Sequence, residues 1–362
     1  MPNIPVLANA EALTAAWLSA SLGADVSDFR CEEILGEGYA SRMYRVSLTH
    51  GASNQVPNSV ILKLATTNPN QLELLHGDNM YREALFYAMV SNEVSEIIPE
   101  IYFSDFDSHQ KQLTILMEDL GEISRQSFHS SLTTTLAATK ALGRIHAHYW
   151  QSDEVNTEKF APLQSQLSNE ETVELISTNI EIEERAPYSF EYLSACMKKI
   201  LKLAALMPSS NDKPQNPFTL IHGDFHARNV HCTDSRAIIF DWQAAERGNP
   251  ARDLAYWLLT SVDTADRKEF SARMIDCYLH ELADFGIQTY TKKLLMRDFQ
   301  KAVNEMIPRI YCYQSLLDTS NDDEGTLELF LRRAQALAKD RHYLGGLTIA
   351  SLFARIAAPF LK

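Results

Sequence analysis

The sequence has no paired cysteines. Its five, Cys31, Cys196, Cys232, Cys277 and Cys312, are scattered without a Cys-x-x-Cys spacing. Such an odd, dispersed set argues against both a disulfide scaffold and a structural zinc site. No apolar run is long enough to span a membrane. The start, Met1-Pro2-Asn3-Ile4-Pro5, carries no positive segment joined to an apolar core, so no secretory signal is read. Basic residues are outnumbered, 33 against 47 acidic ones, for a formal net charge of -14. Lys and Arg gather in no run that offsets this locally, so nucleic acid and anionic membranes are not expected partners. Repeats, coiled-coil heptads and long low-complexity tails are absent too. A globular chain in a reducing cytoplasm is the expectation.

What is present is ordinary in bulk, with 45% hydrophobic and 22% charged residues over 362 positions. That length can bury a substantial core and favours two domains or two lobes.

The informative stretch is residues 221–229, Ile-His-Gly-Asp-Phe-His-Ala-Arg-Asn, followed by Ile-Ile-Phe-Asp-Trp at 238–242. Asp224 and Asn229 stand five apart in a loop. Residues 230–232 and 236–240 read as the strands of a hairpin that returns Asp241 toward Asn229. One base and two oxygen ligands for magnesium are the parts that phosphoryl transfer from ATP needs. Asp224 would orient an acceptor hydroxyl and take its proton, while Asn229 and Asp241 would hold Mg2+. His226 and Arg228 are placed either to help with phosphate or acceptor, or to hold the loop through hydrogen bonds. His222, His226 and His231 lack a His-Glu-x-x-His arrangement, so zinc is disfavoured and His222 is read as a loop hydrogen-bonding group. Asp253 is expected to cap exposed amides or tether the catalytic loop, with Tyr256 and Trp257 packing the lobe.

Upstream, residues 9–22 read as a helix, and 29–35 and 42–48 as antiparallel strands. Gly36 and Gly38 mark the turn between them and, with Ser41, are candidates for a phosphate-binding loop. Two glycines serve a plain hairpin equally well, and they do not complete a Gly-x-Gly-x-x-Gly motif. Lys63 sits on a short strand at 59–65. It is either a solvated strand lysine or a contact to nucleotide phosphates, oriented by a carboxylate from a nearby helix. Glu83, near the start of a helix at 80–90, is the expected partner of Lys63, while Arg82 could pair with other carboxylates; a surface ion pair is the plainer alternative. Residues 100–104 and 112–117 read as a strand pair running into Glu118-Asp119-Leu120-Gly121. This linker is either a surface loop or a hinge whose backbone pairs with adenine beside Met117, which makes Met117, Glu118 and Leu120 the candidates. A long amphipathic helix is expected at 131–150, with Gly143 permitting close packing. Helices at 190–206, 270–285 and 327–338 follow from the same apolar periodicity, and residues 321–325 read as a loop.

These residues together resemble the aminoglycoside/choline-kinase-like phosphotransferase superfamily. Residues 222–229 are similar to its catalytic loop and Asp241 to its second metal-binding position, with Trp242-Gln243 where protein kinases have Phe-Gly. The run 240–243, with Gly248 and Asp253-Leu254-Ala255-Tyr256, particularly resembles the ecdysteroid-kinase-like branch. The resemblance implies an α+β, bilobal protein-kinase-like fold. A small N-terminal β-rich lobe with a helix, residues 1–120, would bind the nucleotide. A larger, mainly helical C-terminal lobe, residues 121–362, would carry catalysis and acceptor binding. ATP and Mg2+ are the implied cofactors and a small-molecule hydroxyl compound the implied acceptor. Sterol-like alcohols, choline-like compounds, aminoglycosides and sugars are all left open. The missing protein-kinase Ala-Pro-Glu pattern agrees with a small acceptor rather than a peptide one. A protein kinase and a nucleotide-binding regulator without transfer activity are the rival readings.

Overall fold

The computed structural model describes residues 4–34, 41–50, 57–66, 79–90, 93–121, 128–161, 169–183, 190–204, 217–233, 236–316, 325–342 and 345–347. The chain opens with α1 (Ala15–Leu22), β1 (Val26–Glu33), β2 (Ser41–His50), β3 (Ser59–Ala65), α2 (Asn79–Met89), β4 (Ile101–Asp107) and β5 (Gln112–Glu118). It continues through α3 (Leu132–His148), α4 (Asn169–Glu183), α5 (Glu191–Ala204), β6 (Thr219–Ile221), β7 (Val230–Cys232), β8 (Ala237–Ile239) and β9 (Glu246–Gly248). Helices α6 (Ala251–Ser261), α7 (Arg267–Asp284), α8 (Lys292–Leu316) and α9 (Thr326–Asp340) follow. The architecture is bilobal and α+β, as a protein-kinase-like fold requires, with a β-rich N-terminal region and a larger helical C-terminal one.

Two compact units divide the chain: residues 1–126 with 229–245, and residues 127–228 with 246–362. In the first, an antiparallel sheet has strand order β1-β2-β3-β5-β4. Side chains alternate between sheet faces with period two. Tyr44, Val46, Leu48, Val60, Leu62, Leu64 and Leu116 therefore share one face, which packs with Trp17 and Leu18 of α1. The pairings Met43–Lys63, Lys63–Ile115 and Ile61–Met117 put Ser41, Lys63 and Met117 on the opposite face. The helix expected over 9–22 starts only at Ala15. Thr14, extended, caps it by accepting the Trp17 amide hydrogen at 3.1 Å, and a separate 3-10 turn at Ala10–Ala12 precedes it.

Residues 229–245 join this unit through the β7–β8 hairpin and the turn after it. Trp242 is fully buried and stacks on Phe86 of α2, with ring centroids 3.9 Å apart and planes 14° apart. One helical position from Glu83, Arg82 donates from Nη1 to the Ala245 carbonyl at 2.9 Å. On the hairpin, Arg236 donates to the carbonyls of Glu96 (2.7 Å) and Ile98 (3.2 Å) and lies 3.4 Å from the Glu118 carboxylate.

In the second unit every residue of α6 is buried, and α3 packs on α7. Gly143 makes that packing possible, since a Cβ there would stand 3.1 Å from Glu281. Strands β6 and β9 form a short antiparallel pair, in which a Cβ on Gly248 would collide with Ile221. Helix α8 contains Pro308, which removes one backbone donor and bends a helix. All five cysteines are free. Among the described residues no helix is long and apolar enough to cross a membrane.

Candidate functional site

Lys63 is not a solvated strand lysine. Its side chain is 4% exposed, and Nζ lies 2.7 Å from Glu83 Oε2 and 2.8 Å from Asp241 Oδ1. Burial alone would lower the lysine pKa, but the two carboxylates overcome it and hold the ammonium charged, above the usual lysine range. Burial also pushes the Glu83 carboxyl up to about 7, against the pull of Lys63. Strand β3, helix α2 and the turn after β8 thus each contribute one charge to a single buried cluster.

The hairpin does return Asp241 toward Asn229. Val230 pairs with Ile239, and the Phe240 amide donates to the Asn229 carbonyl at 3.1 Å, so the two candidate metal ligands flank the open end of the ladder. Asn229 is buried, while the Asp241 side chain keeps 26% of its exposure. Asp241 has φ +65°, a left-handed conformation that is costly for a residue with a Cβ and least so for Asp or Asn. Both residues offer oxygen, the donor that magnesium takes. Among the described residues no group of three or more His, Cys, Asp or Glu is gathered for a metal. Magnesium held largely by phosphate and water needs no such cage.

Of the other nucleotide candidates, Gly36 and Gly38 lie outside the described residues. Ser41 and Met117 are buried. Glu118 is already engaged: its amide donates to the Glu100 carbonyl at 2.8 Å, and its carboxylate accepts the Glu100 amide hydrogen at 3.1 Å. Leu120 follows Asp119, which no local motif marks as a site residue. Asp119, with a side chain 5% exposed, takes two hydrogen bonds from Arg45 (2.9 and 3.3 Å) and one from the Ser59 hydroxyl (2.7 Å). Arg45 also donates to the Gly121 carbonyl at 2.9 Å. This clamp fixes the 118–121 segment to β2 and β3.

Asp224 lies in the second unit, the boundary falling between Arg228 and Asn229. The segment before it is held by Asp253. Asp253 Oδ2 accepts the His222 amide hydrogen at 2.6 Å and Oδ1 the Gly223 amide hydrogen at 3.0 Å. Gly223 has φ +80°, which glycine adopts freely, and His222 Nδ1 accepts the Asp224 amide hydrogen at 3.2 Å. His146 Nε2 stands 3.3 Å from Asp253 Oδ2, and its Nδ1 lies 2.9 Å from the Tyr278 hydroxyl. Burial works to raise the Asp253 pKa, but His146, His222 and the amides hold it below the ordinary value. The tether expected of Asp253 and the loop bond expected of His222 are both present. His146 is fully buried and joins that network.

Asp224 itself keeps 27% of its side-chain exposure, and its Oδ2 lies 3.5 Å from His226 Nε2. Burial would raise its pKa, but His226, His222 and the Tyr256 hydroxyl hold it well below the usual carboxylate range. The His226 ring stacks toward Tyr256, at 6.2 Å, and meets Phe128 edge-on at 5.2 Å. Arg228 lies over the Phe128 ring, 5.1 Å from its centroid. Tyr256 and Trp257 are buried, as packing residues should be, but the Tyr256 hydroxyl is also 3.0 Å from that of Tyr313.

The Ecdysteroid kinase-like family profile matches residues 35–289. Among solved structures, choline kinase from Cryptosporidium parvum Iowa II is 13% identical, with a TM-score of 0.55 over 88% of this chain and 91% of that one. A mutant aminoglycoside 2'-phosphotransferase-IIIa in complex with GDP is 14% identical, with a TM-score of 0.53 over 87% of this chain and 93% of that one. At such identities the likeness is one of fold. No curated protein matches the sequence. The profile covers well over half of the residues, including Lys63, Glu83, Asp224, Asn229 and Asp241, and the chain belongs to the ecdysteroid kinase-like family.

Proposed function

We propose that this protein is an ATP-dependent phosphotransferase that moves the γ-phosphoryl group to a hydroxyl of a small molecule. The observation that carries the reading is the buried Lys63 ammonium, seated between Glu83 and Asp241. A cation so costly to bury needs both carboxylates, and the same trio sets a lysine where it can meet triphosphate oxygens. Glu83 fixes the rotamer of Lys63. Asn229 and Asp241 hold magnesium, which when bound neutralises charge on the phosphates. Ser41 and Met117 line the nucleotide side of the sheet, with Glu118 and Leu120 giving backbone contacts to the base. Asp224, kept ionised, orients the acceptor hydroxyl and receives its proton; His226 and Arg228 assist beside it. The two fold relatives, a choline kinase and an aminoglycoside phosphotransferase, support a small acceptor over a protein one. Free cysteines support a cytoplasmic setting.

The test is incubation of the purified protein with ATP, magnesium and a library of hydroxyl compounds, read by mass spectrometry. A phosphorylated small molecule that disappears with Asp224→Asn is the expected result. Labelling confined to protein substrates, or ATP binding with no product across the library, would overturn it.

A further inference from the structure

Basic side chains stand beside Asp224, in a chain whose net charge is -14. Helix α8 presents Arg309 and Tyr313, four residues apart and so on one face, to Tyr256 of α6. The Arg309 guanidinium lies 5.8 Å from the centre of the Tyr256 ring, and the Tyr313 hydroxyl is 3.0 Å from the Tyr256 hydroxyl. His226, the neighbour of Asp224 at 3.5 Å, stacks on the same tyrosine. Among the described residues no hydrogen bond or ion pair engages the Arg309 guanidinium. The other nearby carboxylates are committed, Glu246 to Arg252 and Asp253 to the loop amides and His146. Arg228, over Phe128, adds a second cation on the loop itself.

We propose that Arg309 is a specificity-determining residue of the acceptor site beside Asp224, and that it selects neutral or anionic hydroxyl compounds against cationic ones. The proposal rests on the phosphotransferase reading. The aromatic faces of Tyr256 and Phe128 are otherwise suited to receive a quaternary ammonium, since rings attract cations. The Arg309 guanidinium over one of those rings and that of Arg228 over the other occupy those faces and repel a further positive charge. A neutral alcohol meets only the ring edges and the paired tyrosine hydroxyls. An anionic substituent finds an unspent fork of N–H donors on Arg309.

The experiment measures binding, so it stands whether or not turnover is found. Choline and its uncharged isostere, with a quaternary carbon in place of nitrogen, are titrated by calorimetry into wild type, Arg309→Glu, Arg309→Gln and Arg309→Lys. Wild type should prefer the isostere. The choline-to-isostere affinity ratio should rise at least ~tenfold in Arg309→Glu, rise less in Arg309→Gln, and return to the wild-type value in Arg309→Lys. Circular dichroism confirms that each variant folds. Tighter choline binding by wild type, or a ratio unchanged by Arg309→Glu, would overturn the proposal. A separate ATP titration addresses the kinase reading: loss of nucleotide binding by wild type sinks that reading and leaves the acceptor comparison interpretable.

Discussion

Asp253 and Ser261 sit near opposite ends of α6, and each holds one side of the loop that carries Asp224. Asp253 takes the amides of His222 and Gly223, while the Ser261 hydroxyl accepts the Ala227 amide hydrogen at 2.8 Å. A rigid, wholly buried helix thereby acts as a splint across residues 222–227. The carboxylate of Asp224 is displayed by a short arch pinned at both feet.

Removing the first foot should cost stability and show a signature in pH. Asp253→Ala leaves two buried amide donors and His146 without an acceptor, a loss of about 3 kcal/mol in urea unfolding. The folded-state pKa of Asp253 lies below its ordinary value, so its contribution is present above about pH 4 and disappears as pH falls through the folded value. The stability gap between wild type and Asp253→Asn should accordingly be widest near neutrality and shrink on acidification. A gap that widens in acid contradicts the assignment.

Lys63→Met leaves the buried Glu83 carboxyl and Asp241 without their shared cation. That variant should lose about 3–5 kcal/mol. Adding Glu83→Gln should restore part of the stability by removing the unpaired buried carboxyl, while phosphotransfer stays lost because the ammonium is gone. Chemical denaturation and activity assays on the single and double variants separate the two effects.

Asp224→Asn keeps the shape of the side chain and removes its proton-accepting charge. The turnover number should fall by about 10²–10⁴-fold with little change in KM for ATP. A comparable loss confined to ATP binding would place Asp224 outside the proton-transfer step.

The Arg45–Asp119 clamp gives a different outcome. Asp119→Ala frees the 118–121 segment from β2 and β3, so KM for ATP should rise severalfold while the turnover number is largely kept. Unchanged nucleotide affinity would make the clamp purely structural.

Trp242→Ala empties the face of Phe86, and a loss of about 3–5 kcal/mol is expected for deleting so large a buried ring. Trp242→Phe should recover part of it. Thermal unfolding of both checks the order.

The sequence was legible where chemistry demands particular residues at short spacing. The Asp224-to-Asn229 loop and the returning Asp241 are readable because each involves near neighbours or a hairpin, and the Asp253 tether because an Asp at a helix start is suited to accept exposed amides. The Lys63–Glu83 ion pair follows from the order of strand and helix. The illegible parts are long-range. Nothing local marks Asp119 as the partner of Arg45, 74 positions away, or Arg236 as the clasp on Glu96 and Ile98. Tyr256 looked like packing because burial hides the use of its hydroxyl, whose partner Tyr313 lies on another helix. The start of α1 is not legible from apolar spacing alone, because Thr14, extended, interrupts the run and begins a new cap.

The assignment of residues 229–245 to the first unit makes that unit discontinuous in the chain. A fragment ending at residue 126 would keep the five-stranded sheet yet forfeit Asn229, Asp241 and Trp242, and Lys63 would retain only one of its two counterions. The chain is therefore not divisible at residue 126, and a fragment carrying the whole first unit has to join two stretches that are distant in sequence.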